Sequence, residues 1–438
     1  MGIFQFSPAP LFRLLLLLLS VSPLFLPGIN GKTHWGDTLV LKQLKASIDP
    51  SSVTPGSCLS SWDFSSDPCD SLFSDRFTCG FRCDIADVAG VSRVTELALD
   101  QAGYSSDSLD SVSWNRLPYL QTLDLSNNYF HGPLPSSSLS NLTRLTRLGL
   151  SGNFFSGEIP ASSIASLTGL EELYLDHNNL QGGIPPEFNA LVGLKRLELQ
   201  SNNLSGEFPE LGSLKTLYFL DASDNPGIIG NFPAILPPNL VQISMRNNSI
   251  EGKLLPQSFQ TLTYLQVLDL SHNRLTDSVP LILFNSPSLQ QVTLSHNSFS
   301  SIESPPTLAT LLQSELIAVD LSNNDLRGFL PSFMAMMPKL SALSLENNRF
   351  TGMIPTQYAV KAVLPGAGVS PFARLLLGGN YLFGPIPGPL MGLRPGSSNV
   401  SLHDNCLYRC PAALFFCQGG DQKSLVECRN FSPVKEGD

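Results

Sequence analysis

The chain has 438 residues, 42% hydrophobic but only 14% charged, well below the roughly 25% charged content of an ordinary soluble domain. Its formal charge of −10 argues against a nucleic-acid partner, because no basic stripe can neutralise phosphates, and equally against electrostatic adhesion to acidic membranes or polyanionic polysaccharide. Polarity comes from Ser, Asn, Gly and Thr instead, so any binding must rest on local patches.

From the N-terminus, Arg13 sits inside the leucine block LFRLLLLLLSVSPLFLPG, followed by small residues near Gly28 and Gly31. This pattern predicts a secretory signal peptide over residues 1–31, the alternative being an uncleaved anchor helix, which Pro23 and Pro27 disfavour. No later stretch is apolar for the ~20 residues a span requires. The longest late run, AALFF, ends at Cys417, and the sequence closes on polar NFSPVKEGD. The expectation is therefore no membrane stop, no glycosylphosphatidylinositol tail and no cytoplasmic domain.

Residues 32–93 are expected to form an N-terminal cap, and residues 406–438 a C-terminal cap with a polar tail. Cys58, Cys69, Cys79 and Cys83 fall in the first, and Cys406, Cys410, Cys417 and Cys428 in the second, with none between. In an exported chain these groups read as two disulfides each, and spacing alone leaves three connectivities open per group. A zinc site is disfavoured by the lack of paired C-x2-C spacing and of a nearby histidine pair. Glycosylation sequons at Asn141, Asn203, Asn247, Asn399 and Asn430 fit the same compartment, although Pro433 directly after the last triplet disfavours its modification.

Between the caps, over 94–405, the chain repeats itself. LQTLDLSNNYFHGPLP is followed by LTRLGLSGNFFSGEIP and LEELYLDHNNLQGGIP. A fixed asparagine recurs at 128, 153, 178, 202, 225, 248, 273, 297, 324, 348, 380 and 405, mostly 23 to 25 residues apart. A degenerate copy, VTELALDQAG, precedes them. Such a period predicts a solenoid. The two leucines of L-x-L point to one face of a short strand and the residue between them to the other. No coil can bury its leucines alone, so stability is summed over neighbouring coils. The asparagine stands where the backbone turns, and its amide can pair groups whose unsatisfied burial would cost about 1–3 kcal/mol each. Glycines such as Gly132 and Gly352 suit tight geometry, and prolines such as Pro135 and Pro355 keep the segment beyond the turn extended.

The motif LxxLxLxxNxLxGxIP resembles the extracellular plant-type leucine-rich repeat, and LKQLKASIDP…SSWDFSSDPC resembles that family's helical, cysteine-bearing cap. The resemblance implies an α/β solenoid of about 12 coils, with a parallel sheet on its concave face and disulfide-bearing caps at both ends. It says less about function, because receptor kinases, receptor-like proteins and secreted inhibitors share the scaffold. Two stretches depart from it: SFSSIESPPTLATLLQSE lacks GxIP, and TQYAVKAVLPGAGVSP lengthens its coil. Both read as tolerated loops on the outside of the solenoid, the alternative being a small ligand-contacting insertion.

The letters flanking the leucines then line the concave sheet. Most are bland, but four successive coils offer Glu172, Tyr174 and Asp176; Arg196, Glu198 and Gln200; Phe219 and Asp221; Gln242 and Arg246. Aromatics and arginines beside carboxylates can carry interface energy. The alternative is an ordinary solvated face with two aromatics by chance, and a glycan on Asn247 would partly block one end. His177, His272 and His296 all precede the repeat asparagine and mark a turn position rather than a metal site. No nucleophile elbow, phosphate loop or zinc-protease helix is present, so neither enzyme activity nor a cofactor is expected.

The reading is a secreted glycoprotein of the apoplast, cell wall or outer plasma-membrane face, which recognises an extracellular protein or peptide. Partners of this kind include the ectodomain of a receptor kinase, which would supply signalling. The alternative is an inhibitor of a wall-degrading hydrolase such as polygalacturonase, since secreted plant repeat proteins of that type share the repeat form with about two fewer coils. The ending NCLYRC…QKSLVEC also resembles the cap of leucine-rich-repeat extensins, but no Ser-Pro-rich tail follows.

Overall fold

The computed structural model describes residues 32–85, 90–136, 138–363 and 368–431; the expected leader and the end of the polar tail lie outside the described residues. The repeats stack into a solenoid whose main sheet has 14 strands. Its first strand, Phe81–Ile85, runs antiparallel to Ser92–Ala98, and from there every strand to Asn399–Ser401 is parallel to its neighbour. The central residues of these strands form one column, Leu97, Leu123, Leu148, Leu173, Leu197, Leu220, Ile243 and onward to Val400, at most 4% exposed. Each such side chain contributes roughly 1.5–3 kcal/mol by leaving water.

The asparagines close the turns as a ladder between coils. The Asn178 amide nitrogen donates to the carbonyls of Leu150, Leu175 and Asp176 at 2.9–3.1 Å, while its oxygen accepts from the Phe155 amide at 3.0 Å. Asn202, Asn273, Asn348 and Asn405 repeat the pattern. The residue before each asparagine is left-handed, with φ of 52° at His177, 55° at His272 and 56° at His296. Asn, Asp, His and Gly tolerate that region best, which accounts for the letters found there.

Past the asparagine each coil adds a rung to a second sheet on the solenoid's flank. This layer is split: nine strands run from Ser105–Ser106 to Ser298–Ile302, and four from Arg327–Phe329 to Cys406–Tyr408. The split falls at the coil lacking GxIP. One coil earlier Asp277 occupies the glycine position with φ 69°, and the pairing register slips between Asp277 and Ser278. The lengthened coil is not a plain outer loop. Its residues Thr356–Val363 form an α-helix of the outer layer that buries Tyr358, Ala359, Lys361 and Ala362. Among the described residues Lys361 has no carboxylate partner; its ammonium donates to the Met337 carbonyl and lies 5.0 Å from the Phe372 ring. Burial lowers its pKa to about 8.

Both caps are cross-linked, Cys58–Cys79 and Cys69–Cys83 at one end, Cys406–Cys428 and Cys410–Cys417 at the other. The N-terminal helix Trp35–Ser47 is also held by a buried ion pair. Asp37, fully buried, accepts from the Arg93 guanidinium at 2.8–3.2 Å and from the Val94 amide at 2.8 Å, joining the cap to the first parallel strand.

Candidate functional site

On the concave face two columns of side chains flank the buried one. The first reads Thr122, Arg147, Glu172, Arg196, Phe219, Gln242, in register across successive strands. The second reads Asp124, Gly149, Tyr174, Glu198, Asp221, Ser244. The structure therefore brings Glu172, Tyr174, Arg196, Glu198, Phe219 and Asp221 into one partly buried strip. Strand twist and spacing alone produce this, since each residue lies one ladder step, roughly 4.8 Å, from the next.

The strip is wired to itself. Arg147 reaches Glu172 at 2.5 Å and Asp124 at 3.5 Å, and its guanidinium lies 4.3 Å from the Tyr174 ring. The Tyr174 hydroxyl donates to Glu172 at 3.1 Å. Arg196 pairs with Glu198 and lies 3.6 Å from the Phe219 ring, a cation–π contact, while Gln200 donates to Glu198 at 3.0 Å. Burial works against the Arg147 charge, but Glu172, Tyr174 and Asp124 outweigh it and raise its pKa. Burial also raises the Tyr174 pKa, against the pull of Arg147. Asp221 likewise sits above the usual carboxylate range because burial, reinforced by Glu198 and Asp224, outweighs its hydrogen bonds from Ser223.

Arg147 was not among the residues singled out from sequence. The available signal was its position, one coil before Glu172 in the same column. Asp176, by contrast, does not belong to the exposed strip. It is 7% exposed and is held by the Ser151 hydroxyl and by His177 at 2.9 Å, so it braces the turn. Arg246 is exposed at the strip's far end, beside Asn247, whose amide donates to Asp224 at 2.7 Å. Asn141, Asn203, Asn247, Asn399 and Asn430 are all exposed.

Further along, the concave face changes character. Ala318 and Ala342 occupy the column that holds Arg196 and Phe219 upstream, and they leave a hollow of about 320 Å³ bounded by Gln291, Asp320, Ser344 and Arg374. Small letters within IAVDL and SALSL were the sequence signal for it. His272 and His296 stack with ring centroids 4.1 Å apart at the sheet's edge, and burial, then the neighbouring His296 and Arg246, lowers the His272 pKa. Among the described residues the one cluster of metal-type side chains is Cys58, Cys79 and Asp100, and its two sulfurs are joined in a disulfide.

A stacked parallel sheet closed by an asparagine ladder defines a repeat-built solenoid, and the sequence comparisons agree with it. A leucine-rich repeat family model matches residues 238–299, and a second matches 119–142 and 169–191. The chain folds as a leucine-rich repeat solenoid. Its relatives include receptor-like protein 7 of Arabidopsis thaliana, 37% identical over 131 residues (28% of this chain), and lumican of Mus musculus, 38% identical over 121 residues (27% of this chain). These matched segments make up 12% and 34% of the two relatives' lengths. Among solved structures, the plant peptide hormone receptor RGFR1 in complex with RGF2 superposes with a TM-score of 0.60 at 28% identity, covering 73% of this chain and 53% of that one. A TDR receptor shares the fold with a TM-score of 0.55 at 24% identity, covering 75% of this chain and 62% of that one. No helix among the described residues is long and apolar enough to cross a membrane.

Proposed function

We propose that this is a secreted or cell-surface-associated recognition protein that binds an extracellular protein or peptide on its concave sheet, in partnership with a receptor kinase ectodomain. The observation that carries the reading is the strip from Arg147 to Asp221. Its rings and charges are held in place by one another before any partner arrives, so little side-chain freedom remains to be lost on binding. Similarity to a receptor solved with a peptide hormone supports a peptide or protein as the ligand class.

The test is affinity purification of tagged protein from plant tissue after mild cross-linking, followed by binding assays with the purified partner. Arg196→Ala combined with Phe219→Ser is expected to weaken that partner at least ~10-fold, about 1.4 kcal/mol, with the thermal midpoint nearly unchanged. Recovery of wall hydrolases alone, bound and inhibited equally by wild type and variant, would replace this reading with the inhibitor one.

A further inference from the structure

The two flank sheets share one backbone pattern and differ in what it displays. Most rungs carry a left-handed glycine, and in several coils the residue after it points outward and lies over the glycine of the next coil. In the nine-stranded sheet that outward column reads Pro133, Glu158, Gly183, Glu207, Asn231 and Lys253. Glu158 covers Gly182, Glu207 covers Gly230 and Asn231 covers Gly252. In the four-stranded sheet the same position holds Phe329, which covers Gly352, and Met353, which covers Gly384. Phe383 and Tyr408, on the next two strands, stand one residue before the left-handed position rather than after it, where upstream coils carry Gln181, Ser205 and Glu251, and they extend the exposed apolar surface. Phe329 is 77% exposed, Met353 63%, Phe383 50% and Tyr408 67%. None of these side chains is needed for the core, because acids, amides and a serine fill both positions upstream.

Charge changes with the surface. Residues 327–431 hold nine Lys and Arg against four Asp and Glu, whereas residues 1–326 hold sixteen against thirty. Arg327 and Arg349 lie side by side on the outward face at one border of the stripe, Arg349 bridging Asp325 at 2.8 Å. At the other border the Arg409 guanidinium lies 5.3 Å from the Tyr408 ring. An apolar stripe edged by arginines, on a chain that is otherwise acidic, fits a complementary surface of opposite sign.

We propose that Phe329, Met353, Phe383 and Tyr408 form a second docking surface, separate from the concave strip, for a protein partner that presents an apolar patch rimmed by carboxylates. A second copy of this chain fits less well, because a two-fold contact would set Arg327, Arg349 and Arg409 against themselves.

A photo-reactive phenylalanine placed at Met353 of the full-length secreted protein, with Ile229 on the nine-stranded sheet as control, tests this directly. The expected result is one extracellular protein cross-linked from 353 and not from 229, with the cross-linked peptide mapping to an apolar, Asp- or Glu-rich surface. Purified, that protein should bind wild type at least ~10-fold more tightly than Phe329→Ser/Met353→Ser, and more weakly as salt rises. The double variant should keep its thermal midpoint within about 2 °C, which separates lost docking from lost folding. Equal labelling from both positions, cross-links confined to the chain itself or to a second copy, or unchanged affinity of the double variant would each overturn the proposal.

Discussion

The N-terminal three-quarters and the C-terminal quarter of the solenoid are built on one coil yet handle charge oppositely. Near the N-terminal cap a buried carboxylate meets a buried guanidinium, Asp37 with Arg93, and the flank outside sets Glu158, Glu207 and Asn231 after its glycines, with Tyr129, Phe154 and Ile229 exposed beside them. In the C-terminal part a buried lysine, Lys361, meets a carbonyl and a ring, with no carboxylate beside it among the described residues, and the flank outside is apolar and edged with arginine. The leucine column does not register the change. Folding constrains the inward letters equally everywhere, and the difference is free to serve recognition because it lies in letters the core does not read.

The sharpest way to break the comparison is at the buried charges. Asp37→Ala should destabilise by about 3–5 kcal/mol, because it strands Arg93 in the interior, and chemical denaturation would show it. Where the two regions share the column they should respond alike: Leu197→Ala and Leu343→Ala are each expected to cost about 2–5 kcal/mol, and a markedly cheaper loss at Leu343 would mean a looser C-terminal core.

Lys361→Met should have the opposite sign to Asp37→Ala. With its pKa lowered to about 8 in the fold, Lys361 penalises the native state below that pH, where both states hold the proton but only the native one buries it. The penalty fades as pH rises from about 8 towards the unfolded value. Lys361→Met is thus expected to gain roughly 1–3 kcal/mol at pH 7, with the gain shrinking by pH 10. A pH-independent difference between the two melting curves would rule out titration as its cause.

The smallest effect compares the flanks themselves. Alanine at Gly206, φ 83° with nothing within 4 Å of the added methyl, should cost only the left-handed penalty of about 1–2 kcal/mol. Alanine at Gly352, φ 87°, would also sit 2.4 Å from the Phe329 ring and should cost up to about 1 kcal/mol more. Phe329→Ala should close that gap in a double-mutant cycle.

Much of this architecture was legible in advance. L-x-L spacing implied inward leucines, the recurrent asparagine implied a paired turn, and DHN and SHN implied a turn position for the histidines; all of these depend on residues close together in the chain. The columns were legible only in part. Glu172, Arg196 and Phe219 could be grouped because the period aligns them, but Arg147 was passed over, and Asp176 was taken for surface although Ser151, one coil away, helps to bury it. The hollow at Ala318 and Ala342 had a signal only as missing bulk. TQYAVKAVLPGAGVSP read as a loop, since eight residues are too few to announce a helix unless the neighbouring coils pack against it.

By itself, then, the sequence determined the repeat, its inward face and the cysteine-bearing caps, because short-range periodicity fixes which side of each strand meets the core. Only the tertiary structure decided the disulfide partners, the wiring of Arg147 and Arg196 to their carboxylates and rings, the split of the flank sheet beside Asp277, and the bare stripe from Phe329 to Tyr408. Those depend on which coil lies over which, and on whether a long side chain finds a partner there before it reaches water.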